Sequence, residues 1–221
     1  MAFHVEPPGA FHVEQSAAAE IDSRLSLHGF DPGKSGAQLL RLCEALALWS
    51  RQSNLTGQRG FAAIISGICA DAIALAAALP DTSGIVDLGA GAGFPGIPLA
   101  ILKPASHVIL VESRERRHHF QRAALRELAL PNAEPLLGRA ETLDPRPQPL
   151  AIAQAIAEPA QALRWLLPWT LPGGMLCLPQ AVSATPDRWR LPEGAHLEEI
   201  RRYRVLPEGR ERLLWIGRRR D

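Results

Sequence analysis

The sequence predicts an α/β protein: a mostly parallel, doubly wound sheet with helices on both faces. Three observations predict it. From Ile85 onward, short apolar runs alternate with helical stretches, the pattern of βαβ units. A glycine-rich turn, Asp87-Leu88-Gly89-Ala90-Gly91-Ala92-Gly93, separates the first apolar run from the helix after it. The chain has 221 residues, 47% hydrophobic and 21% charged, enough to bury one medium core without staples.

The elements follow in order. Ala2-Phe3-His4-Val5-Glu6 is repeated as Ala10-Phe11-His12-Val13-Glu14 around Pro7-Pro8-Gly9; the duplication is too short to be architectural, and residues 1–15 read as a loose tail. A helix over 16–28 is broken by Asp31-Pro32-Gly33. Ser35-x-x-Gln38 has the form of a capping box, and Leu39, Leu42, Cys43, Leu46 and Trp49 repeat at helical spacing over 36–50. Residues 61–79 are apolar and almost long enough to cross a bilayer, but Asp71 sits in their middle, so a buried helix is expected. Strands are predicted at 85–88, 108–111, 135–137, 150–153, 175–178 and 212–216. Helices are predicted at 95–102, at 114–129 and from Glu158-Pro159, where proline suits a first turn.

Composition excludes several classes. Cys43, Cys69 and Cys177 are scattered, with no CxxC and no Cys/His cluster, so neither a disulfide framework nor a metal site is expected. Residues 1–20 have no basic segment followed by an apolar run, so no signal peptide is expected and the cytoplasm is the natural compartment. Net charge is +1. Basic residues are nearly all Arg, Lys34 and Lys103 being the only lysines; arginine is the better fork for phosphate, although a compositional bias would produce the same excess.

The glycine turn lies where doubly wound sheets bind nucleotides. A dinucleotide motif needs a third glycine near 94, and Phe94 stands there. The spacing G-x-G-x-G behind an acid instead fits S-adenosylmethionine (SAM), whose lack of a pyrophosphate removes the need for a phosphate cradle. A tight turn without ligand would carry the same glycines. Glu112, ending the second strand, is placed to accept ribose hydroxyls; an acid also suits the start of the next helix. His118-His119 point in different directions on a helix and make a poor chelate. Trp165 and Trp169 read as packing residues rather than a base-stacking platform.

Further motifs extend across the chain: Trp49-x-x-x-x-Asn54-Leu55-Thr56, Gly93-Phe94-Pro95-Gly96-Ile97-Pro98-Leu99, Glu112-Ser113 with Arg116-Arg117 and Phe120, Arg139-Ala140-Glu141, Pro172-Gly173-Gly174, and Gly209-x-x-Arg212-Leu213. Over residues 36–217 the set resembles the GidB/RsmG family of small-subunit ribosomal RNA guanine-N7 methyltransferases. The resemblance implies a class I SAM-dependent methyltransferase fold, Rossmann-like, with a mostly parallel seven-stranded sheet. It also implies a helical cap over 16–80, a donor-binding domain over 81–221 and a monomer. SAM is the implied cofactor, and small-subunit rRNA or the 30S subunit is the implied partner. The implied donor-binding residues are Asp87, Gly89, Ala90, Gly91, Gly93, Phe94, Glu112, Ser113, Arg139, Ala140, Glu141 and Gln154. Gln154 is also the candidate for positioning substrate, and no general base is expected because guanine N7 carries no proton. Arg116, Arg117, Arg122 and Arg212 are the RNA-binding candidates, and Arg201, Arg202, Arg204, Arg210 and 218–220 form a second basic stretch. The chain departs from the family pattern at Gly67-Ile68 (usually Arg-His), Ala153-Gln154-Ala155 (usually Ser-Arg-Ala) and Pro179-Gln180 (usually Lys-Gly). A member with lost or retargeted activity is the alternative these departures raise.

Overall fold

A computed structural model describes residues 8–51 and 55–220; for 8–14 and for Asp187 only the backbone is described. Asn54 and the start of the tail, 1–7, lie outside the described residues.

Among the described residues seven strands form one sheet: β1 (Gly84–Leu88), β2 (His107–Glu112), β3 (Ala133–Leu137), β4 (Gln148–Ala153), β5 (Thr170–Ala181), β6 (Ala195–Val205) and β7 (Arg210–Arg219). Their order is β3-β2-β1-β4-β5-β7-β6. The first five run parallel, while β7 is antiparallel to both β5 and β6. Strand β6 is absent from the sequence reading. It is an edge strand, and its Glu198, Glu199, Arg202 and Arg204 are exposed; charged side chains are how edges resist pairing with other chains, and they hide the alternation that marks a strand.

Every residue of β1 is buried, because helices cover both faces. Successive side chains split between two cores. Ile85, Val108, Leu110, Leu150, Ile152 and Ile216 join one cluster with the N-terminal helices. Val86, Leu88, Ile109, Val111, Ala151, Leu176 and Trp215 join the other. The first face carries α1 (Pro8–Leu27), α2 (Gly33–Ser50), α3 (Phe61–Ile64), α4 (Ala70–Ala78), α5 (Gly96–Leu102) and α6 (Glu115–Glu127); the second carries α7 (Pro159–Leu166). Fully buried Phe120 of α6 meets Trp49 of α2 edge-on, with ring centroids 5.6 Å apart, which ties the N-terminal helices to the sheet's own helices.

Three local readings change. Helix α1 starts at Pro8, inside the stretch read as tail; a proline in the first turn forfeits only an N–H that has no helical partner there. The Ser35–Gln38 capping box does not form, since α2 starts at Gly33 without a side-chain cap. Gln38 is buried instead and donates from Nε2 to the Leu128 carbonyl at 2.9 Å. The segment 61–78 contains a π-helical turn at Ile65–Cys69 between α3 and α4. By length and composition Phe61–Ala78 would suit a membrane span, yet Ile64, Ile65, Cys69, Ile73 and Leu75 pack into the core. All three cysteines are free and buried.

Helix α1 is latched to the β6–β7 turn. Arg24, 2% exposed, donates to Glu20, to both carboxylate oxygens of Glu208 and to the Leu206 carbonyl. The bond to Arg24 holds the Glu208 carboxyl down at about 2.

Candidate active site

The glycine turn crosses the carboxyl end of β2. The N–H groups of Gly89 and Ala90 both donate to the Val111 carbonyl, at 2.8 and 3.0 Å. Gly89 has φ +70° and Gly91 φ +59°, in the left-handed region that side chains disfavour. A Cβ at Gly89 would also run into Ile156 Cγ2. Glu112 is 4% exposed. Its Oε2 accepts from the Gly91 N–H at 2.9 Å and its Oε1 from the Arg114 N–H at 2.8 Å. Each carboxylate oxygen accepts a second bond, so Glu112 fastens the loop and retains acceptor capacity toward the cavity it lines.

That cavity measures about 540 Å³, within the roughly 300–1,000 Å³ range of small-molecule sites. Of the residues named from the sequence as donor-binding, Gly89, Ala90, Gly91, Phe94, Glu112, Ser113, Arg139, Ala140, Glu141 and Gln154 line it. Asp87 and Gly93 do not. Asp87 shares strand parity with Ile85, so it points under α5, where its Oδ2 accepts from the Gly96 N–H at 3.0 Å. Burial pushes its carboxyl up to about 8, against that hydrogen bond, with the Glu112 charge adding to the rise. A Cβ at Gly93 would meet Ile97; this glycine permits helix packing rather than ligand approach.

Among the arginines, Arg116 and Arg122 are exposed on α6 and do not line the cavity. Arg117 turns inward, lines the cavity and lies 3.8 Å from Glu112 Oε2. Its Nε is buried and has no partner among the described residues. Arg212 donates to Asp71 at 3.1 Å. The second basic stretch is largely paired: Arg201 with Glu199, Arg218 with Glu198, and Arg202 and Arg204 with Glu211. Arg219 donates to the carbonyls of Leu167 and Thr170.

The cavity is also lined by Leu55, Thr56, Ile68, Asp71, Ala72 and Trp165, which the sequence reading did not name as site residues. Trp169 is core, its indole N–H donating to the Ala140 carbonyl at 3.0 Å. Gln121 was also missed: fully buried, it donates from Nε2 to the Gly91 carbonyl at 2.8 Å. Where the family pattern has Arg-His, the Gln58 side chain occupies the space beside Gly67, about 3.1 Å from where a Cβ would stand. His118 is buried, and burial followed by the Arg122 and His119 charges lowers its pKa. No group of three or more His, Cys, Asp or Glu able to hold a metal occurs among the described residues.

The sequence profile described as GidB, rRNA small subunit methyltransferase G, matches residues 35–203. The chain belongs to this family. Two GidB-family relatives carry the name ribosomal RNA small subunit methyltransferase G. That of Yersinia enterocolitica is 34% identical over 202 residues, covering 89% of this chain and 97% of the relative. That of Xanthomonas oryzae is 35% identical over 188 residues, covering 83% and 86%. Neither name points to a lost or retargeted activity. The GidB-family chain has the class I SAM-dependent methyltransferase fold. M. jannaschii TYW2, solved with AdoMet, superposes with TM-score 0.57 at 16% identity over 70% of this chain and 77% of that one. A SAM-dependent methyltransferase from Aquifex aeolicus superposes with TM-score 0.52 at 15% identity over 70% and 92%. The GidB-family site fits SAM in its donor set: an acidic acceptor at the end of β2, a turn whose first glycine leaves no room for a side chain, and apolar Val111, Ala140 and Ile156 between them.

Proposed function

We propose that this chain transfers the methyl group of SAM to N7 of a guanine in small-subunit rRNA, either free or in the 30S subunit. The observation that supports it most is the coincidence of a family match over 35–203 with a cavity holding Gly89, Gly91 and Glu112. In this reading Glu112 accepts the ribose hydroxyls. Arg139, Ala140 and Glu141 lie by the adenine, and Ser113 and Phe94 complete the donor wall. The helices before residue 81 act as a cap over the donor domain, and the protein works as a cytoplasmic monomer.

When bound, SAM supplies a methyl carbon already made electrophilic by its sulfonium. Guanine N7 attacks through an in-plane lone pair and releases no proton, so the chain needs no general base. Its residues have two tasks: alignment and exclusion of water. Leu55, Ile68, Pro95 and Trp165 supply an apolar wall. Gln154, exposed at the tip of β4, offers an amide to the base edge. Arg116, Arg117, Arg122 and Arg212 supply positive charge for the RNA.

Purified protein incubated with methyl-labelled SAM and either 30S subunits or naked rRNA tests the reading. Label in the rRNA supports it; a protein that binds SAM and labels neither substrate contradicts it.

A further inference from the structure

Two arginines of the last strand converge on a single carboxylate of the cavity wall. Residues two apart on a strand point to the same face. Arg210 and Arg212 pair across the sheet with Val205 and Tyr203, and Val205 and Tyr203 pack against Ala70 and Ala74 of α4. The backbone therefore lays both arginine side chains along α4, where Asp71 stands. Arg210 Nη2 donates to Asp71 Oδ1 at 3.1 Å, and Arg212 Nη2 donates to Oδ2 at 3.1 Å. Arg210 Nη2 also lies 3.4 Å from the Ser66 carbonyl, and Arg212 Nη1 lies 3.3 Å from the Glu211 carbonyl.

Two guanidiniums share the single Asp71 carboxylate. Other arginines differ: Arg24 contacts two carboxylates, Glu20 and Glu208, the latter also feeling the Arg210 charge, and Arg201 and Arg218 have one each. Arg210 Nε and Nη1 and Arg212 Nε take no hydrogen-bond partner among the described residues. Asp71 itself lines the cavity, as do Ile68, Ala72 and the glycine turn.

We infer that Arg210 and Arg212, fixed by Asp71, form a clamp for a backbone phosphate of the substrate strand beside the target guanine. The inference rests on the function proposed above. It adds Arg210 and Asp71 to the acceptor side and assigns Arg212 a ligand group. The Nε and Nη1 groups of Arg210 and the Nε of Arg212 are N–H donors of a charged group, suited to phosphate oxygens. Because Asp71 already holds both side chains, little rotamer freedom remains to be lost on binding. Asp71 is a positioning residue here; the arginines make the contact.

The test uses the full chain, a small-subunit rRNA transcript and a salt series. For Arg210→Ala the expected result is a five- to tenfold weaker Kd at low salt. The slope of log Kd against log salt should fall by about 0.7 to 0.9, one phosphate contact. SAM affinity by calorimetry stays at the wild-type value, which also reports that the variant folds. Arg210→Lys keeps the slope. Asp71→Asn does not reduce the slope, since both cations remain, but lowers kcat because they are no longer held. If the wild type methylates the transcript while Arg210→Ala and Arg212→Ala keep its slope and KM, the clamp alone is overturned. If the wild type binds SAM but no rRNA, the proposed function is overturned and the clamp with it.

Discussion

In the function proposed above, the donor wall of the cavity draws on the turn after β1, the end of β2 and 138–141, whereas the cap wall draws on 55–72 with Gln154 and is braced from 210–212. The donor wall is tied by hydrogen bonds to the backbone of the glycine turn: Gly89 and Ala90 N–H to the Val111 carbonyl, Gly91 N–H to the Glu112 carboxylate, and the Gln121 side chain to the Gly91 carbonyl. The cap wall is held by ion pairs between side chains distant in sequence, Asp71 with Arg210 and Arg212. In that proposed function, a wall fixed by hydrogen bonds to one glycine turn serves the donor. A wall assembled by tertiary packing is where a large, charged acceptor would be read.

If the two walls are separate, changes in one spare the other's ligand. The largest effect is expected from Gly89→Val, which combines positive φ with a clash against Ile156. Donor affinity should fall by about 100-fold or more, since left-handed strain alone costs about 1–2 kcal/mol and the clash adds to it; calorimetry with SAM measures this. Glu112→Ala follows, with an expected loss of about 10- to 100-fold in SAM affinity, the worth of a charged hydrogen-bonding group. Its rRNA affinity, read by filter binding, should stay at the wild-type value. A matching loss of rRNA affinity would show the walls to be one unit.

On the cap side, Gln154→Ala should lower kcat about five- to tenfold, one hydrogen bond's worth, with SAM affinity unchanged. Wild-type turnover in that variant would remove Gln154 from the site. The last effect concerns the fold rather than either ligand, and falls on Asp87. Its carboxyl is raised from 3.8 to about 8 by burial. A carboxyl raised on folding contributes stability that is fully present below its unfolded pKa and is lost as pH rises through the folded one. The melting temperature of the wild type should therefore decline between pH 4 and pH 8. Asp87→Asn, a neutral mimic of the protonated acid, should show a shallower decline over the same window.

Legibility in the sequence follows the same division. The glycine turn, Glu112 and the positions of the first five strands along the chain are readable because their signals are local: glycine spacing, a strand's last residue, alternating apolar runs. Strand parity would also have turned Asp87 away from the cavity, since it falls on the same side as Ile85. Ile68, Asp71 and Trp165 carry no such mark. Their place on the wall depends on how α4 and α7 dock, and an apolar residue on a docked helix looks the same whether it faces core or cavity. Arg116 and Arg117 are adjacent, and only the phase of α6 against β2 decides which of them turns toward Glu112. The pairing of Asp71 with Arg210 and Arg212 required the antiparallel return of β7, beside a strand whose charged residues concealed it.

The most direct measurement is nucleoside analysis of small-subunit rRNA after reaction with methyl-labelled SAM, for the wild type and Glu112→Ala side by side. The account predicts that the wild type places label on N7-methylguanosine and that Glu112→Ala places little or none at the same SAM concentration. Label on a different nucleoside, or undiminished labelling by Glu112→Ala, would contradict it.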